Sequence, residues 1–396
     1  MQDFRATGAV QISDQAARRL KDGHGWVYAS DVLAQTGAAK AGDVVAVVTA
    51  AGAKIGHGFL SPQSTIRVRL ITRGGSAISA TVLEAALRAA VDRRRHMSLQ
   101  TNAYRVIHGE ADDLPGLIVD RYDDTLVMQT VTVGMEQRRQ WLGEKLVSTT
   151  GACRVYLRND TPARATEGLS LAKGFLIGEG ATTIDIHEGA ARFVVDIEQG
   201  QKTGWFCDQR DNRQAVAARA QGKDVLDAFC HTGAFGIHAA LGGARSVAGW
   251  DSSRAAIEQA RAHALVNQVG ARCDFRAADA VDALKKLGRS RKRFDLVILD
   301  PPAQAKRRAA RESALDGAIH LNALGLALVR TGGLLVTCSC SHHITEQDLV
   351  VVVERAARTV RRKVQIVERR GAAQDHPTLD SIPETRYLSC VLATIS

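Results

Sequence analysis

The stretch Val225 to Gly236, VLDAFCHTGAFG, leaves this chain few folds to choose from. Val225, Leu226 and Ala228 make a short apolar run with Asp227 at its carboxyl end, and a turn holding Thr232, Gly233 and Gly236 leads into the helical pattern IHAAL. Strand, glycine turn and helix in that order form a ligand cradle, because glycine lets backbone come close and the first amides of a helix lack partners within it. Beyond it, strands near Val225, Ser246, Cys273, Phe294 and Leu334 alternate with helices, and Val364 to Val367 and Tyr387 to Leu392 supply two more. That alternation predicts an α/β fold with a seven-stranded, mostly parallel sheet covered on both faces.

The segment Ser246 to Trp250 ends at Asp251, where a βαβ unit places the acidic residue that holds ribose hydroxyls, so the cradled ligand contains a nucleoside. The dinucleotide pattern G-x-G-x-x-G is absent, and Asp227 stands where it would repel a pyrophosphate. A cationic adenosine cofactor, S-adenosyl-L-methionine, fits better than NAD. Just upstream, GQKTGWFCDQRDNR mixes polar residues with Trp205 and Phe206, a composition suited to a segment folding over the cofactor with Gln209 and Arg210 as its polar contacts.

Composition narrows the partners. With 52 Lys+Arg against 42 Asp+Glu the formal charge is +10, which draws a polyanion, and nucleic acid is the natural one. Seven cysteines without a C-x-x-C pair or a histidine cluster speak against both a disulfide framework and a metal site, and for reduced thiols in the cytoplasm. No apolar run nears the roughly 20 residues that span a bilayer, so no membrane is expected.

Residues 1 to 74 hold short β-type runs and one helical piece near Gln15 to Leu20. The pattern AARRLKDGHGWVYASDV, with GDVVAVV and IGHGFLS, resembles the PUA module, an RNA-binding pseudo-barrel, and this implies phosphate contacts for Arg18, Arg19, Lys21 and His24. A helix follows from Thr81 to Leu99, closed by Arg93, Arg94 and Arg95. Residues 104 to 195 alternate short strands with turns, and their charge-rich stretches EADDLPGLIVDRY and RNDTPARATEGL put forward Asp120, Arg121, Arg158 and Arg164 for RNA contact.

Chemistry gathers at two later strand ends. FDLVILDPP ends in Asp300 followed by Pro301 and Pro302, which stiffen the loop, and GGLLVTCSCS carries Cys338 and Cys340. A thiol there answers a need: carbon 5 of a pyrimidine is a poor nucleophile until a thiolate adds at carbon 6. Asp300 is then placed to stabilise the ring near N3, and the base that removes the carbon 5 proton stays unassigned.

Together, GQKTGWFCDQRDNR, VLDAFCHTGAFG, Asp251, FDLVILDPP, VTCSCS, DDLPGLIVDRY and the PUA-like start resemble the bacterial class I rRNA (cytosine-5-)-methyltransferases of the large-subunit type. The resemblance implies a PUA-like domain (1–74), a central α+β domain with a β-hairpin (75–195) and a Rossmann-like methyltransferase domain (196–396) acting on 23S rRNA or a large-subunit particle. It implies a cofactor set of Gln209, Arg210, Asp227, Phe229, Thr232, Gly233, Asp251, Asp279 and Asp300, with Asp251 at the ribose and Asp279 near the adenine. Ser339-Cys340-Ser341 matches the nucleophile motif, making Cys340 the nucleophile and Cys338 the runner-up. The target cytosine is then flipped out of its stack. Two other readings stand beside this one, a guanine-N7 methyltransferase of the same fold and an inactive RNA-binding or assembly protein. The oligomeric state stays open, a homodimer included.

Overall fold

In the computed structural model residues 3–97, 99–302, 311–341 and 344–396 are described. They fall into two compact units. The first runs as far as Ile186 and adds 195–207 and 375–385, and the second comprises 187–194, 208–374 and 386–396.

The first unit holds two sheets. Six strands between Ala6 and Arg73 form one, and the helix Asp14–Lys21 packs on it, its N-terminus capped by Ser13 Oγ, which accepts from the Ala16 amide at 3.2 Å. Ala16, Ala17 and Leu20 recur at helical spacing and bury against Val10, Val27, Val45 and Val47. The second sheet pairs five strands in sequential order, Ala103–His108, Leu117–Tyr122, Thr125–Thr130, Arg154–Asn159 and Ala172–Ile177. Arg154–Asn159 runs parallel to Thr125–Thr130, so the chain needs a crossover, and the helix Arg139–Thr150 supplies it.

That helix and the strand Ala172–Ile177 were not legible in the sequence. The helix has only Leu142, Gly143 and Leu146 fully buried, and the strand is a partly exposed edge with Gly174 inside it, so neither shows strong periodicity. The helix expected to reach Leu99 stops at Arg95, with His96 as its C-cap.

The second unit carries the seven-stranded sheet that the alternation predicts. Its strands are β1 (Asp224–Ala228), β2 (Ser246–Asp251), β3 (Cys273–Ala277), β4 (Phe294–Leu299), β5 (Val329–Ser339), β6 (Val364–Arg370) and β7 (Ser389–Ile395), in the order β3-β2-β1-β4-β5-β7-β6. The first five are parallel, and β7 runs antiparallel to both its neighbours. Leu226, Ala228, Val297, Leu299, Leu335 and Val391 fill the core from these strands. Full burial of side chains such as Leu and Val contributes roughly 1.5–3 kcal/mol each. The strand order reverses between β1 and β4, and ligands of open α/β sheets bind beyond the carboxyl ends of the strands at that reversal. Asp227 near the end of β1 and Asp300 just past β4 flank it.

Candidate active site

The turn after β1 is held in a costly conformation. Phe229 (φ 66°), His231 (φ 47°) and Gly233 (φ 81°) are left-handed, a region that costs a non-glycine residue of order 1–3 kcal/mol. Backbone bonds hold it there: Cys230 N donates to Trp250 O at 2.9 Å, His231 N to Asp251 Oδ2 at 3.0 Å and Gly233 N to Cys230 O at 2.8 Å. At Gly233 a Cβ would sit 2.9 Å from the Phe275 ring and 3.0 Å from Ala260 Cβ, so only glycine fits. His263 braces the turn from the next helix. Its Nε2 accepts from Val194 N at 3.0 Å, which leaves Nδ1 to donate to the Thr232 carbonyl at 3.1 Å.

Asp227 is wholly buried beneath this turn. Its Oδ2 accepts from Gly236 N at 2.9 Å, while Oδ1 has no hydrogen-bond partner. Burial pushes the carboxyl up to about 8; the Gly236 amide opposes this, and the charges of Asp300 and Asp251 add to it. A buried acceptor without a donor costs about 1–3 kcal/mol. A cationic, hydrogen-bond-donating ligand group would relieve that cost, so the cradle fits a sulfonium cofactor with an ammonium end. Asp251 accepts the His231 amide on one oxygen and the Ser253 amide, at 2.9 Å, on the other, and each oxygen keeps a further lone pair. Asp279 caps the helix Ala280–Gly288, its Oδ1 accepting from Asp282 N at 2.9 Å.

At the end of β4, Gln209 holds Asp300. The Gln209 Oε1 accepts from Asn212 Nδ2 at 2.7 Å, which turns its Nε2 toward Asp300 Oδ2 at 3.1 Å. Arg210, buried at the start of the helix Arg210–Ala217, bonds Asp211 at 3.1 Å. The two cysteines at the end of β5 line one cleft but differ in exposure. Cys338 is buried inside the strand opposite Cys390, and the hydrogen bond to Cys390, then burial, push its thiol well above the usual range. Cys340 lies one residue past the strand, is partly exposed, and lines a cleft with Pro301, Pro302 and Asn322. Cys230 is buried, and burial pushes its thiol up as well.

Trp205 and Phe206 fall in the first unit, where the Trp205 amide donates to the Tyr122 hydroxyl at 3.2 Å, and Gln209 and Arg210 fall in the second. The RNA-contact expectation fails for Asp120, Arg158 and Arg164, which are buried. Asp120 accepts from Arg105 at 2.5 Å and 2.9 Å, Arg158 donates to Ile197 O at 2.7 Å, and Arg164 bonds Glu136 at 2.9 Å. Arg94 is likewise buried in a two-pronged pair with Asp112. Arg121 spends its guanidinium on the carbonyls of Asp123 and Thr150. His24 is buried and Arg19 pairs with Asp31, whereas Arg18 and Lys21 are exposed. Neither Asn322 nor His263 stands out in one dimension, since an asparagine and a histidine within helices carry no motif.

Among the described residues no group of three or more His, Cys, Asp or Glu side chains is placed to hold a metal ion, and no helix is long and apolar enough to cross a membrane.

An acidic cradle at the sheet's switch point defines a nucleoside-cofactor enzyme of the doubly wound class, and the profile for S-adenosylmethionine-dependent methyltransferases matches residues 163–389. A PUA-like domain profile matches residues 10–73. The ribosomal RNA large subunit methyltransferase I of Shewanella denitrificans is 36% identical over 393 residues, covering 98% of this chain and 99% of its own. That of Alteromonas mediterranea is 36% identical over 391 residues, covering 98% of each. A Streptococcus mutans protein classed as a SAM-dependent methyltransferase superposes with a TM-score of 0.81 at 21% identity, over 97% of this chain and 99% of its own. A methyltransferase-class protein solved with SAH gives 0.84 at 22%, with the same coverage. The chain belongs to the S-adenosylmethionine-dependent methyltransferases and, within them, to the family of the ribosomal RNA large subunit methyltransferase I proteins. Its cofactor is S-adenosylmethionine.

Proposed function

We propose that this protein forms 5-methylcytosine in 23S ribosomal RNA, with Cys340 as the nucleophile. The observation that carries the reading is the contrast at the end of β5: both thiols line the cleft with the two prolines that follow Asp300, but Cys340 is partly exposed, while Cys338 is buried in the strand and its hydrogen bond to Cys390 and burial hold its thiol well above the usual range. The names of the relatives supply the large-subunit RNA.

The bound cofactor supplies an electrophilic methyl group on sulfur. Asp227 and the Phe229–Gly233 turn hold its methionine end, Asp251 its ribose and Asp279 its adenine side. Cys340 Sγ, as thiolate, bonds to carbon 6 of the cytosine, and the electrons of the C5–C6 double bond move to carbon 5, which takes the methyl group as the carbon–sulfur bond of the donor breaks. A base removes the carbon 5 proton, and the returning double bond expels the thiolate. Asp300, oriented by Gln209, steadies the ring near N3 during addition. Residues 1–74 and the net positive charge hold the RNA backbone without reading sequence, and residues 75–195 and 196–396 complete a three-domain division in a cytoplasmic enzyme.

Mass-spectrometric mapping of 23S rRNA from cells lacking the protein is the direct test. One 5-methylcytosine is expected to disappear and to return with the wild-type gene; loss of a methylated guanine instead would overturn the reading. In vitro, Cys340→Ala is expected to lose at least about a thousandfold in rate, and Cys338→Ala to stay within about tenfold of wild type.

A further inference from the structure

The cleft beside Cys340 contains a second polar group without an assigned role. Asn322, on the helix Arg311–Leu328, is 2% exposed and lines the same cleft as Cys340, Pro301 and Pro302. Its Nδ2 donates to the Ala318 carbonyl one turn back on its own helix, at 2.9 Å. That bond fixes which end of the amide is which, since only nitrogen can donate to a carbonyl. The other end, Oδ1, is buried and has no hydrogen-bond partner. Buried side-chain acceptors in folded proteins nearly always have a donor, and the exceptions call for one supplied from outside the fold.

We infer that Asn322 Oδ1 is the acceptor for the exocyclic amino group of the target cytosine, and so a specificity-determining residue against uracil. The inference rests on the cytosine-5 reading. A pyrimidine bonded through carbon 6 to Cys340 carries its 4-substituent on the ring carbon next to carbon 5. In cytosine that substituent is an amino donor, which completes the lone acceptor. In uracil it is a carbonyl oxygen, which faces the Asn322 oxygen with two acceptors and no proton between them. Carbon 5 of uracil is open to the same thiolate activation, so chemistry alone does not choose between the bases. A site built to hydrogen-bond one substituent rejects the analogue lacking it far more strongly than a shape difference does.

The test uses the full-length protein and transcribed 23S rRNA fragments carrying cytidine, uridine or 5-fluorocytidine at the mapped position. Wild type is expected to form a denaturation-resistant adduct with the 5-fluorocytidine RNA, because fluorine cannot leave as a proton and the thiol stays attached. It is also expected to favour cytidine over uridine by at least about a hundredfold in kcat/KM. Asn322→Ala, and Asn322→Leu, which keeps side-chain bulk, are both expected to form the adduct and to lose tenfold or more of that preference. The loss should come chiefly from slower reaction with cytidine, at unfolding temperatures close to wild type for at least one of them. An adduct in wild type together with unchanged base preference in a folded Asn322 variant would show that Oδ1 meets only a buried water, and the inference falls alone. Absence of the adduct in wild type removes the cytosine-5 reading and the inference with it.

Discussion

Two carboxylates of the second unit are equally buried and have been driven in opposite directions. Glu188, at the tip of the hairpin formed by Thr183–Glu188 and Ala191–Asp196, accepts from Arg213 at 2.5 Å and 2.8 Å and meets His238 Nε2 at 3.1 Å. Burial alone would raise its pKa, but Arg213 and His238 outweigh burial and hold the carboxyl at about 2. Asp227 has one backbone amide in place of a guanidinium, and burial takes it to about 8. The difference separates architecture from site. A carboxylate surrounded by the protein's own cations serves the fold, whereas one left short of a donor in a strained cradle is kept for something that arrives.

The most forceful way to break this comparison is to remove the Glu188 partner. Arg213→Met leaves a buried carboxylate without its guanidinium and should cost about 3–5 kcal/mol, read as the shift in a denaturant unfolding curve. The double change Arg213→Met with Glu188→Leu should recover much of that loss, because an apolar pair of similar size does not carry the desolvation cost. A single variant with wild-type stability would mean that the pair is not what holds Glu188.

Acid gives a second measure of the same pair. The folded pKa of Glu188 lies below the 4.5 of an ordinary glutamate, so its contribution to stability is complete above that value and fades as pH falls toward about 2. A depression of this size corresponds to about 3 kcal/mol over the window. Glu188→Gln should flatten that part of the stability–pH curve; an unchanged slope would assign acid lability to other carboxylates.

How much of this was legible beforehand follows from what kind of signal each residue leaves. Strand ends announce themselves, because an apolar run that stops at Asp227, Asp251 or Asp300 is visible in one dimension, and so was the seven-stranded sheet. Burial of charge is not visible in that way. Arg164 and Arg158 look like RNA ligands in a charge-rich stretch, yet Arg164 pairs with Glu136, far off in sequence, and Arg158, besides its neighbour Asp160, reaches the distant Ile197 carbonyl, contacts that only folding brings together. The same holds for Asn322, whose importance is an absent partner, and for Phe229, whose left-handed backbone is imposed by hydrogen bonds from β2 across the turn.

Asp227 sharpens the comparison from the other side. In the ligand-free protein its carboxyl stays protonated up to about pH 8, so the folded state holds a proton that the unfolded chain releases near 4, and this site's contribution to stability falls as pH rises between those values. If the cationic end of S-adenosylmethionine is held against the carboxylate, binding below pH 8 must release that proton. Affinity should then rise by up to about tenfold per pH unit from 6 toward 8 and level off above. Titration calorimetry in two buffers of different ionisation enthalpy counts the proton. Asp227→Asn should bind more weakly and keep only the pH dependence of the cofactor's own amine. Equal slopes in the two proteins would mean that Asp227 does not face the cation.

The smallest effect concerns charges that have no partner because they face solvent. Arg18 is exposed on the helix Asp14–Lys21, and among the described residues it has no acidic partner, in contrast to the buried Arg164. If that face meets RNA phosphate, Arg18→Ala should leave the unfolding temperature where it is and weaken RNA binding only modestly. It should also reduce the slope of log K against log salt by about one. Arg164→Ala should do the reverse, lowering stability while leaving the salt slope of the remaining folded protein intact. A salt slope that answers to Arg164 and not to Arg18 would place the RNA-binding face away from this helix and return the buried arginines to functional consideration.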